Sequence, residues 1–158
     1  MVTRWIHLLA LAVYLGTTLD LACVFLPAAE AIADRGVQRR VLARGLRVYN
    51  VLSVGALGVL VISGASALTD WKAALGPAFG RILWRLVAKL SLAFLLILVS
   101  TYVSFGLAHR LVRAELGQLP IEPERQAGMI GRMRGAAWLG VALAAWTAWV
   151  GVALSIAP

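Results

Sequence analysis

The sequence is poor in the residues that stabilise most small soluble and secreted domains. It has a single cysteine, Cys23, which excludes a disulfide-stapled secreted scaffold. It contains no Cys-x-x-Cys-His motif, which excludes covalently attached c-type haem. Only seven of its 158 residues are acidic, and charged residues form 14% of the chain against about 25% in soluble domains. So little charge leaves too few groups to solvate the surface of a soluble fold of this size.

Hydrophobic residues are correspondingly abundant, at 61% of the chain against roughly 45–50% in soluble domains. They form four continuous runs, at residues 5–26, 48–68, 83–108 and 136–157. A membrane-spanning helix needs about 20 predominantly apolar residues, and each run meets that length. The runs do not alternate with polar residues, as transmembrane strands would. The sequence therefore predicts a single all-α domain over residues 1–158, a four-helix transmembrane bundle.

Basic residues are distributed unequally between the two ends of the predicted bundle. One end holds ten of them: Arg35, Arg39, Arg40, Arg44, Arg47, Arg110, Arg113, Arg125, Arg132 and Arg134. The other end holds five: Arg4, Lys72, Arg81, Arg85 and Lys89. The richer end faces the cytoplasm by the positive-inside rule, so both termini are expected to be extracytoplasmic. The net charge of +8 is thus explained by topology and contact with membrane lipids, and no nucleic-acid partner is expected.

Asp20 is the one acidic residue well inside a predicted span. An ionised side chain at membrane depth is costly and usually pairs with another charge. Arg47 begins the second span at nearly the same level, so an Asp20–Arg47 ion pair is expected to join the two helices. A proton or ligand site at Asp20 is the alternative interpretation.

A candidate cofactor site lies at the opposite level, where His7, Arg85 and Lys89 meet the outer surface. His7 is a candidate metal ligand or proton acceptor, and the two cations suit the carboxylates of a porphyrin. The alternatives are an interfacial histidine and cations that snorkel to the headgroups. His109 lies at the other end of the bundle, which disfavours a haem held by two histidines.

The fourth span has two contrasting faces. Gly140, Ala144 and Ala148 form a row of small residues suited to close helix packing. The other face carries three tryptophans: Trp138, Trp146 and Trp149. A tryptophan face is typical of contact with lipid, and a partner membrane subunit is the alternative.

Four short motifs mark the first three spans: Trp5-Ile6-His7-Leu8, Phe25-Leu26-Pro27, Ser63-Gly64 and Phe79-Gly80-Arg81-Ile82-Leu83. On these motifs the chain resembles the CopD-like domain of copper-resistance membrane proteins. More distantly it resembles the HemJ type of protoporphyrinogen oxidase, also a small helical membrane protein. It departs from the HemJ type at Ala28, where that family has an arginine, and Arg85 is closer than Lys89 to the register of the family's lysine.

The resemblance implies a protein of the bacterial cytoplasmic (inner) membrane with a redox function linked to haem b or a porphyrin, using His7 with Arg85 or Lys89. Two alternatives stay open. One is a non-catalytic subunit of a larger membrane complex, and the other is copper transport or resistance. Copper is the weaker alternative because Cys23 stands alone and the methionines Met1, Met129 and Met133 are scattered. Whether the protein is an enzyme is left open.

The predicted orientation can be tested by labelling single cysteines from outside the membrane in a Cys23→Ser background. A cysteine at Ala74 is expected to react with an impermeant maleimide, and a cysteine at Gln118 is expected to react only after the membrane is permeabilised. The reverse pattern would contradict an orientation with both termini outside.

Overall fold

The protein is built almost entirely of helix. The computed structural model describes residues 2–76 and 79–156, with the backbone alone at 71, 74, 75, 79, 81 and 153–156. The chain is 92% helical, and the described residues include no strand. Four helices are long and apolar enough to cross a membrane: Val2–Glu30, Arg35–Asp70, Ile82–Glu115 and Pro123–Val152. The predicted all-α four-helix bundle is confirmed, and the chain is a multi-pass membrane protein.

The described residues form six α-helices and two π-helical segments. In chain order they are α1 (Val2–Asp20), a π segment (Leu21–Phe25), α2 (Leu26–Glu30), α3 (Arg35–Leu75), α4 (Phe79–Thr101), a second π segment (Tyr102–Ala108), α5 (His109–Glu115) and α6 (Pro123–Ile156). Loops 31–34 and 116–122 lie at one end, which we call the arginine-rich end. The start of α1 and the end of α6 lie at the other, which we call the terminal end.

The first span continues beyond residue 26, where the first hydrophobic run of the sequence ends at Pro27. The helix continues to Glu30, with Pro27 in the first turn of α2. Proline lacks an N–H, and its ring crowds the carbonyl four residues earlier in a regular helix. Here the preceding turn is the wider π segment Leu21–Phe25, which relieves that crowding.

The second span is part of a much longer helix. α3 has 41 residues, about 60 Å at 1.5 Å per residue, which is roughly twice the apolar thickness of a bilayer. Asp34 caps its first turn by accepting hydrogen bonds from the backbone N–H groups of Gly36 at 2.7 Å and Val37 at 3.0 Å. The bonds from Val37 and Gly36 hold the pKa of Asp34 below its usual value. The arginine-rich start of α3 is therefore a direct extension of the span.

The packing is tight at the arginine-rich end and sparse at the terminal end. The larger apolar core joins all four spans at the arginine-rich end: Leu21, Ala22, Leu26, Ala29, Leu42, Leu46, Tyr49, Val103, Leu107, Ala108, Leu111, Met129, Ile130, Met133 and Ala137. Within it the Phe25 ring lies against the backbone of Gly45, where any Cβ would clash with the ring. The second core is smaller and contains Tyr14, Ala56, Leu96 and Ala144.

The two faces of the fourth span are oriented as the sequence predicts. Gly140 is buried, and Ala144 is completely buried. The tryptophans are exposed outside the bundle, with relative accessibilities of 49% for Trp138, 65% for Trp146 and 76% for Trp149. The small residues therefore let α6 approach the other helices, and the tryptophan face is left for lipid or a partner.

We expect Gly140→Leu to destabilise the bundle far more than Trp146→Leu does. A Cβ at Gly140 would already lie 3.4 Å from the Tyr14 hydroxyl and 3.8 Å from Thr18 Cγ2, so the rest of a leucine has no space. Overpacking of this kind typically costs about 1–3 kcal/mol. Thermal unfolding in lipid nanodiscs measures both variants, and equal shifts would contradict the assigned faces.

Candidate functional site

The candidate site lies at the terminal end, where α1 crosses α3. His7 is half-buried, and its Nδ1 lies 2.7 Å from the Oγ of Ser63, which is 56 residues away in the sequence. The neighbouring residue of α3 is Gly64, where an added Cβ would lie 3.7 Å from His7 Cε1. The small residues Ser63 and Gly64 thus allow the imidazole ring to lie directly against α3.

The hydrogen bonds of Ser63 determine which ring nitrogen of His7 carries the proton. The serine hydroxyl has one hydrogen, and it donates this hydrogen to the Val59 carbonyl at 2.6 Å. While the hydroxyl makes that bond, the Oγ accepts a hydrogen bond from His7, so we expect neutral His7 to carry its proton on Nδ1. Its Nε2 keeps a free lone pair, which is the form required of a metal ligand or proton acceptor.

Lys89 of α4 is the cation that the fold brings to His7. Its side chain is half-buried, and its Nζ lies 3.2 Å from the position that a Cβ on Gly151 would occupy. The charge of Lys89 acts electrostatically on the His7 ring. Within the described part of the chain, no residue accepts a hydrogen bond from its Nζ. Lys89 therefore packs against Gly151 of the fourth span, and it has no anionic partner among the described residues.

Arg85 does not join this site. Its side chain is exposed, and no described contact links it to His7 or Ser63. Arg81 lies one turn before Arg85 in α4, and its side chain lies outside the described residues. His109 is exposed at the start of α5, towards the arginine-rich end. Of the sequence-predicted cofactor residues, the structure thus unites His7 with Lys89 and leaves out Arg85.

The predicted Asp20–Arg47 ion pair is wrong. Arg47 instead pairs with Glu115 at the end of α5, with 3.4 Å between Nη2 and Oε2. Asp20 is exposed, on a different face of α1 from the buried Tyr14 and Thr18. A second ion pair at the same end joins Arg134 to Glu30 at 2.8 Å. The expected pair relied on the position of Asp20 along the span, and that position alone does not tell which way a helix is rotated.

A buried hydroxyl cluster lies deeper in the bundle, and the sequence reasoning did not identify it. The Tyr14 hydroxyl lies 2.5 Å from Ser100 Oγ, which joins the first and third spans. A sequence signal for the cluster exists, because three spans each carry two hydroxyl residues four positions apart. These pairs are Tyr14 and Thr18, Tyr49 and Ser53, and Ser100 and Ser104. Residues at this spacing share one face of a helix.

No group of three or more His, Cys, Asp or Glu side chains that could hold a metal ion occurs among the described residues. Cys23 is exposed. Met129 and Met133 are buried in the core at the arginine-rich end, far from His7.

Comparison of the chain with family models, with curated proteins and with solved structures finds no match. The likeness to the CopD and HemJ types therefore remains a prediction from the motifs.

The tautomer of His7 can be tested directly. Nitrogen-15 NMR of the protein in lipid bilayers, above the pH at which histidine ionises, is expected to show His7 protonated on Nδ1. Ser63→Ala removes the acceptor and should move the ring towards the form protonated on Nε2. Ser66→Ala, on the same helix and exposed, should leave the His7 signals unchanged. Protonation of wild-type His7 on Nε2 would contradict the assignment.

Proposed function

We propose that the protein binds haem b or a related porphyrin at the terminal end of the bundle and serves a redox function there. The observation that carries the proposal is the hydrogen-bond chain from His7 through Ser63 to Val59, which leaves a lone pair on Nε2. A metal-ligating histidine commonly donates its other N–H to an acceptor that fixes its tautomer. The motif resemblance supports the same chemistry and a location in the bacterial cytoplasmic membrane.

The residues present fit such a group in charge. Nε2 of His7 would hold the iron, and the ammonium of Lys89 would pair with a propionate. Gly64 and Gly151 allow these two side chains to pack closely against the second and fourth spans. A bound haem would supply one-electron chemistry. The chain's own contribution is to orient the imidazole, to compensate the negative charge of the ligand and to keep the group at the outer level of the membrane.

A single protein ligand is expected. The second histidine, His109, begins α5, whereas His7 lies in the first turns of α1 at the opposite end of the bundle. The two imidazoles therefore cannot bind one iron. With His7 as the one protein ligand, a bound haem would also be able to bind a small molecule or a substrate at its iron.

His7→Ala is expected to abolish a Soret band in protein expressed with haem supplementation and purified in mild detergent. His109→Ala provides the matched control, since it removes the other histidine and should leave the band unchanged. Equal folding is checked by circular dichroism and gel filtration. A colourless wild-type protein, or a band that persists in His7→Ala, would overturn the assignment of His7 as ligand.

A second pair of variants tests the cation. Lys89→Gln should weaken haem binding, measured by titration, whereas Arg85→Gln at the exposed neighbouring position should not. Ser63→Ala should weaken binding by about 10- to 100-fold, the usual effect of losing the partner that orients a ligating histidine. Equal effects of Lys89→Gln and Arg85→Gln would show that the positive charge of Lys89 affects only the insertion of the protein into the membrane and does not act on the ligand.

The second candidate function is that of a non-catalytic subunit of a larger membrane complex. The exposed face formed by Trp138, Trp146 and Trp149 favours it, because aromatic residues are enriched at protein interfaces as well as at lipid interfaces. This candidate predicts a colourless protein whose partner is retained after mild solubilisation and released by substitutions on that face. Copper transport has no comparable support in the described residues, since Cys23 and the buried methionines lie apart from His7.

A further inference from the structure

Three buried oxygen atoms in the middle of the bundle have no hydrogen-bond partner among the described residues. They are Oδ1 of Asn50 and the Oγ atoms of Ser53 and Ser104. Ser53 and Ser104 are each only 1% exposed, so neither lipid headgroups nor bulk water reach them. Buried polar groups in proteins almost always have a partner, either in the chain or in ordered water.

The three atoms belong to one region between the second and third spans. Asn50 Nδ2 donates to the Ser104 carbonyl at 3.5 Å, which places the Asn50 side chain next to the backbone of Ser104. Ser53 follows Asn50 by one turn of α3 and lies on the same face. The Tyr49 hydroxyl lies near the hydroxyls of Ser53 and Thr18. Polar groups from three spans therefore meet in one region, where the three oxygen atoms named above have no partner among the described residues.

The backbone around this region also departs from regular α-helix. Ser104 lies in the π segment Tyr102–Ala108, where its carbonyl accepts from the His109 N–H five residues on. Each π turn inserts one extra residue, which widens the helix and re-aims the side chains that follow. Such turns occur frequently at functional sites.

We propose that Asn50, Ser53 and Ser104 bind internal water between the second and third spans. A water molecule offers two donors and two acceptors, and it can donate to Asn50 Oδ1 while exchanging hydrogen bonds with the two serine hydroxyls. These partners are all neutral, and Asp20, the acid nearest in depth, is exposed, so the site suits water better than a cation. The inference does not depend on a cofactor at His7.

The sign of a stability change tests the proposal. If water bridges the hydroxyls, Ser53→Ala and Ser104→Ala each remove a hydrogen bond and lower the midpoint of thermal unfolding. If the hydroxyls are unpaired, the same substitutions remove an unmet polar group and raise the midpoint. Ser66→Ala, an exposed serine bonded to its own helix, is the control and should change little. Raised midpoints for both buried variants would overturn the proposal.

A second measurement uses the wild-type chain and so does not depend on any variant folding. Water-edited solid-state NMR in lipid bilayers is expected to show rapid magnetisation transfer from water to Ser53 and Ser104. Ala144, which is completely buried in the same bundle without a polar group, provides the reference for slow transfer. Build-up at both serines as slow as at Ala144 would show that the region is dry and would overturn the proposal.

Discussion

The fold depends on one constraint, which is that a polar side chain inside the bilayer must find its partner within the bundle. Lipid tails offer no hydrogen-bond partner, and an unpaired group at membrane depth is costly. Two interhelical hydrogen bonds satisfy this constraint in the half of the bundle towards the terminal end. His7 with Ser63 joins the first and second spans, and Tyr14 with Ser100 joins the first and third. These bonds fix how α1 is rotated, and the rotation in turn selects which residues reach the site.

The larger core and the proposed cofactor site occupy different ends of the molecule. The arginine-rich end combines the larger apolar core with two ion pairs, Arg47–Glu115 and Arg134–Glu30, that tie its loops and helix ends together. Exposed ion pairs contribute little, so the core provides most of the stability there. The terminal end has few buried apolar residues and several small ones. Tight packing at the arginine-rich end therefore allows looser packing at the terminal end, where a planar ligand would need space.

The sequence predicts the features of each span that follow from that span's own contact with the bilayer. Span length and continuous hydrophobicity give the four helices, and the period of Gly140 and Ala144 against Trp138 and Trp149 gives the faces of α6. Features that depend on the rotation of one helix against another were not predictable in the same way. Asp20 was assigned to Arg47 by depth, yet it lies on an outward face of α1. The choice of Lys89 over Arg85, one turn apart in α4, likewise depends on which side of that helix faces the bundle.

The partner of His7 has a consequence for the charge of the whole site. A carboxylate at position 63 would stabilise the protonated ring and would neutralise Lys89. Serine fixes the tautomer without adding charge, because its only hydrogen is committed to the Val59 carbonyl. The site is then a neutral ring beside one half-buried cation with no described anionic partner. A cation at that depth is stabilised by an opposite charge, so the electrostatics favour a ligand that carries a carboxylate or another anionic group. This preference follows from the described side chains alone and agrees with the porphyrin chemistry that the motifs imply.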